Sequence, residues 1–95
     1  MLPVRRLVLD VLKPHEPPLP EFTTQLSDAE SVEGVSASLL EHDKEVQNVE
    51  VTLSGEALTY ESIEEAVEAL GGTVHSVDQV ACGELAADGR PSEDD

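Results

Sequence analysis

Two small groups of side chains in this 95-residue chain have the right types to do chemistry. The first is His15, Glu16 and His75, with His42 as a third imidazole to weigh. Imidazole nitrogen beside carboxylate suits a borderline transition metal such as zinc or nickel. Against that, no ligand spacing of a structural zinc site is present. The plainer reading has His15 capping a proline-kinked loop and His75 bonding a helix-end carbonyl. The second group is Asp10 and Asp78, whose carboxylates suit a hard cation, calcium or magnesium, if the register brings them close. Its plainer reading is an ion pair with Arg5 or Arg6 of another copy, or exposure on an open sheet. Catalysis has little support: no nucleophile–base–orienter set, no Gly-rich phosphate loop after a strand, and no basic neighbour in sequence for Cys82.

What positions these residues is read from periodicity. In the stretch RRLVLDVLKPHEP, Leu7, Leu9 and Val11 form one apolar face, while Arg6, Val8, Asp10 and Leu12 alternate with them. That is a strand with one buried face and one partly buried face. Pro14 stops it, and Pro17, Pro18 and Pro20 hold the chain extended until a helix begins. Leu19, Phe22, Leu26 and Ala29 fall at helical spacing, predicting about three turns, with Gly34 placed to release the chain. Val35, Ala37 and Leu39 alternate in a second strand, Val49, Val51 and Leu53 in a third, and the short polar turn His42–Glu45 makes them a hairpin.

A second helix is signed by Thr59 as N-cap and a Leu58–Ile63 staple. Glu61, Glu64 and Glu65 suit its positive end, Ile63, Ala66, Val67 and Leu70 form its buried stripe, and Gly71-Gly72 ends it. Val74 to Cys82 is a fourth strand in which neither phase of alternation wins. The order β-α-β-β-α-β, with right-handed crossovers, predicts an α+β ferredoxin-like sandwich. Its four-stranded antiparallel sheet has two helices on one face. The first and third strands are central, and the fourth pairs with the first. Residues 1–85 form this domain, and 86–95 an acidic tail expected to be disordered.

That topology places His15 and His75 on adjacent strands, about 5 Å apart laterally, with His42 about 10 Å off and outside the group. Arg6 lies roughly 13 Å along the strand from Asp10, too far for an easy internal pair. The open face carries Arg6, Val8, Leu12 and Leu40 with Asp10, Ser36, Ser38 and Thr52, a mixture suited to a subunit interface. A homo-oligomer assembled through the sheet is therefore expected.

Composition limits the rest. There are 21 Asp and Glu against 5 Lys and Arg, a net charge of −16. Such a chain repels nucleic-acid phosphates and anionic membrane, so neither is an expected partner. With Lys13 and Lys44 its only lysines, the acids read as a solvated coat suited to concentrated salt. Phe22 and Tyr60 are the only aromatics, so the core must be small and aliphatic. Cys82 is alone, fitting a reducing cytoplasm and a small buried side chain. No stretch is long and apolar enough to span a bilayer.

The segments LVLDVLKPHEP, VEGV and EEAVEALGGTVHSVD resemble the archaeal proteins grouped as domain of unknown function family 211, over about residues 4 to 84. The resemblance implies the ferredoxin-like fold and closed, ring-like homo-oligomers, and no established activity. The strong acidity, the Pro18/Pro20 pair and the acidic tail depart from the family pattern and look like salt adaptation of a haloarchaeal type. The functional expectation is a non-enzymatic homo-oligomeric domain that binds a divalent cation or small ligand in a structural or regulatory role. The alternative is a metal-dependent enzyme at the His15/His75 corner.

Overall fold

The computed structural model describes residues 2–83. The expected tail, 86–95, lies outside them. The elements run β1 (Val4–Pro14), α1 (Leu19–Leu26), β2 (Gly34–His42), β3 (Val46–Ser54), α2 (Tyr60–Ala69) and β4 (Thr73–Cys82). The strands form one antiparallel sheet in the order β2-β3-β1-β4, so the fold is the ferredoxin-like α+β arrangement. β1 and β3 are central because their alternation buries a full apolar row. Leu7, Leu9 and Val11 lie opposite Leu53, Val51 and Val49. Phe22 and Leu26 of α1 and Ile63 and Val67 of α2 close over that row, all fully buried. Each such side chain contributes about 1.5–3 kcal/mol by leaving water.

α1 has two turns rather than three. The hydroxyls of Thr23, Thr24 and Ser27 donate to the carbonyls of Leu19, Pro20 and Thr24, competing with the helix ladder. The amides of Asp28 and Ala29 then bond three residues back, to Gln25 and Leu26, and the helix tightens out. Ser31, not Gly34, takes the positive φ of 76° in the turn that follows. Gly34 instead opens β2 opposite Ser54, whose Oγ lies 2.9 Å from where a Cβ would stand.

α2 begins after Thr59, whose amide donates to Ser31 Oγ at 2.9 Å, and its side chain makes no capping bond. Leu58 and Ile63 share the core, as the staple requires. Gly71 (φ 89°) turns the chain toward β4. The muddled pattern of β4 has a structural cause: its pairing with β1 shifts register between Val8 and Leu9 and again between Asp10 and Val11. Cys82 is exposed at the end of β4, correcting the buried reading: it falls on an edge strand past the helices' cover.

Candidate functional site: the open sheet face and the hairpin corner

Two of the three register shifts between β1 and β4 explain where the β4 candidates go. Gln79 pairs with Val8 and Val77 with Leu9, leaving Asp78 as an extra residue; Ser76 pairs with Asp10 and Val74 with Val11, leaving His75 as another. Both are bulge residues, and a bulge re-aims a side chain that plain alternation would place elsewhere. His75 thereby lines a pocket with Asp10, whereas Asp78 accepts a hydrogen bond from Ser76 Oγ at 2.7 Å. Asp78 is not among the residues lining the Asp10 pocket, so the expected carboxylate pair does not share it.

Asp10 is half-buried in the middle of β1, on the face away from the helices. Its Oδ1 accepts a hydrogen bond from Asn48 Nδ2 of β3. The pocket around it holds about 260 Å³ and is walled by Leu12, Glu41, Asp43, Val46, Asn48 and His75. Three carboxylates, one amide and one imidazole meet there, and no Lys or Arg of the described residues lines it. Arg6, on the same face, donates from Nε to Gln79 Oε1 at 2.8 Å. Glu41, Asp43 and Asn48 were not legible as partners of Asp10, because they depend on hairpin register. Among the described residues, no three of His, Cys, Asp and Glu are arranged to hold a metal ion.

The histidine corner differs from the expected one. His15 meets His42, not His75: their ring centroids are 4.6 Å apart at an interplanar angle of 54°. The lateral spacing of strands does not decide the matter, because the chain leaves the sheet after Pro14 and crosses toward the β2–β3 hairpin. There His15 Nε2 donates to the carbonyl of Asp43 at 2.7 Å. Glu16 is exposed beside it.

Linked to His42 through Gln47 is Lys13, which sequence reasoning passed over. It continues the buried row of Leu7, Leu9 and Val11 and is 0% exposed. Its Nζ donates to Pro14 O at 2.7 Å and to Gln47 Oε1 at 2.9 Å, and stands 5.4 Å from the centroid of Phe22. Burial lowers its pKa below the ordinary 10.5, with the charge of Glu16 acting the other way.

Of the interface candidates, Val8 is buried within the protomer, Arg6 and Leu12 are half-buried, and Leu40 is 51% exposed. The other exposed large apolar side chains of the strands lie on the edges and hairpin: Leu39, Val46, Val77 and Val80. No helix of the described residues is long and apolar enough to cross a membrane.

Comparison with known proteins identifies the family. The chain is 45% identical over 80 residues to the uncharacterized protein MJ0319 of Methanocaldococcus jannaschii, an alignment covering 84% of this chain and 82% of that protein. The family model of DUF211, described as "Uncharacterized ArCR", matches residues 5–95. The chain belongs to that uncharacterised family.

Proposed function

We propose that this protein is a non-enzymatic, self-assembling cytoplasmic domain whose open sheet face binds a cation, with Asp10 as the anchoring group. One observation carries the reading: a half-buried carboxylate on a central strand has a neutral amide, Asn48, as its hydrogen-bond partner. Its pocket adds two further acids and the His75 imidazole, with no Lys or Arg among the described residues. A charge so placed in reduced dielectric favours a positive occupant. Glu41 and Asp43 supply field rather than direct ligands, since one protomer does not gather three donors around a point. Water or a second copy completes the shell of a divalent ion.

Self-assembly fits the distribution of exposed apolar side chains. Leu39 and Leu40 lie on the β2 edge, with Val46 at the start of β3 beside them; Val77 and Val80 lie on the β4 edge. Joining two unlike edges is a heterologous contact, which closes into a ring when the rotation permits. It also covers edges that otherwise invite aggregation. The acid coat is read as adaptation to concentrated salt, which keeps such an assembly soluble.

The alternative, a metal-dependent enzyme at the His15/His75 corner, lacks a geometric basis. His15 is turned to His42 and His75 to Asp10, and His42 Nδ1 already faces the Gln47 amide nitrogen at 3.1 Å. Native mass spectrometry with metal analysis, on protein purified without chelator, tests the proposal. The expected result is an oligomer carrying a cation that Asp10→Asn loses; a cation-free monomer of the unaltered chain contradicts it.

A further inference from the structure

Lys13 of β1, Gln47 of β3 and His42 of β2 stand in one row across the sheet, because Gln47 pairs with Lys13 on one side and His42 on the other. Lys13 Nζ can only donate, so the Gln47 atom 2.9 Å from it is the carbonyl oxygen. That fixes the amide, and its Nε2 donates toward His42 Nδ1 at 3.1 Å. His42 Nδ1 therefore carries a lone pair, and the neutral ring holds its proton on Nε2. On the far side, the His42 ring rests against His15, which is itself bonded to the Asp43 carbonyl.

From this row we infer that His42, Gln47 and Lys13 form a proton-sensitive latch on the β2–β3 hairpin. Protonating His42 places an N–H on Nδ1, opposite the N–H donors of Gln47. Rotating the amide satisfies His42 and turns those donors onto the Lys13 ammonium. Lys13 faces one end of the Gln47 amide and His42 the other, so in either orientation the oxygen reaches only one of them, and a bonded imidazolium and a bonded Lys13 exclude one another. Lys13 has no exposed surface through which water could replace the lost acceptor.

His42 rests against His15 and reaches Lys13 through Gln47, Glu16 acts on Lys13, and the charged neighbours of His42 in the chain are Glu41 of β2 and Asp43, Lys44 and Glu45 of the turn. The carboxylates attract an imidazolium through space. The Asp43 carboxylate is already engaged by the Lys44 amide at 2.7 Å, and its carbonyl by His15. Acid therefore loosens the His42–Gln47 rung and the turn closed by Asp43 N to Val46 O at 2.9 Å. Because Glu41, Asp43, Val46 and Asn48 wall the Asp10 pocket, the latch regulates that pocket; this last step rests on the proposed function, whereas the latch itself does not.

Nitrogen NMR and amide exchange on the full chain in high salt, with no ligand added, test it. At about pH 8.5, well above the ordinary histidine range, His42 should carry its proton on Nε2. On acidification to about pH 5, the protection of the Asp43 amide should fall roughly tenfold, the factor of one hydrogen bond left unmade. His42→Gln should abolish that pH response. Gln47→Glu offers a carboxylate to both neighbours, so His42 should move its proton to Nδ1 and acid should no longer open the turn. A proton on Nδ1 of the unaltered protein at alkaline pH, or an unchanged acid response in His42→Gln, overturns the inference.

Discussion

Replacing Lys13 by Met removes a buried charge while keeping a chain of similar length against Phe22. Two charge-assisted hydrogen bonds are lost, to Pro14 O and Gln47 Oε1, at about 1.5–3 kcal/mol each. Offsetting them is the cost of keeping an unpaired ammonium from water, several kcal/mol for a group with no exposed surface. Near neutral pH these terms largely cancel, and the variant should lie within about 2 kcal/mol of the parent. What does not cancel is the pH dependence. The folded pKa is below 10.5, so between that pKa and 10.5 the unfolded chain holds a proton the folded chain has released. Stability must rise with pH across that window, by at most about 1.4 kcal/mol per pH unit for one group. Below the window the fold bears the full burial cost; above 10.5 the difference is gone. Tyr60 acts oppositely: burial, then Glu64, raises its pKa above 10.0, so its contribution is lost as pH climbs beyond that. Urea unfolding from about pH 8 to 10 in both proteins isolates the Lys13 contribution. The parent should gain stability relative to Lys13→Met as pH rises. Equal slopes, or a relative loss, would refute the reasoning.

Two further outcomes follow from the same geometry. Gly55→Ala should destabilise by about 1–3 kcal/mol in chemical unfolding, because the added Cβ meets the backbone carbonyl of Ser31 and stands 3.0 Å from Leu58 Cδ2. With a net charge of −16, the melting temperature should climb as potassium chloride shortens the Debye length from ~10 Å at 0.1 M to ~3 Å at 1 M. A flat profile would mean that the acids are paired or loaded with cations.

The central strand, both helices and the strand order could be read from the chain because burial there follows plain alternation and helical spacing. Leu7, Leu9 and Val11 announce β1, and Gly71-Gly72 after Leu70 announces the end of α2. Lys13 continues that same row, yet lysine signals solvent when read alone; only the covering Phe22 and the acceptors Pro14 and Gln47 make its burial tenable. His75 and Asp78 were singled out by residue type but placed wrongly, since each is the extra residue of a bulge and alternation cannot register a bulge. Asp10 stood out as an acid in a central strand. Its companions Asn48, Glu41 and Asp43 become visible only once β3 is set against β1 and the hairpin against both. Likewise, the meeting of His15 with His42 depends on a loop path that strand spacing does not encode.

Light scattering after size exclusion in high salt, on the unaltered chain and on Asp10→Asn, tests most directly the claim that Asp10 holds a cation within a self-assembled sheet. The unaltered protein should elute as an oligomer whose mass does not change across micromolar concentrations, and Asp10→Asn should shift toward smaller species while its circular dichroism stays that of the parent. A monomeric parent, or an Asp10→Asn oligomer of unchanged mass, would contradict it.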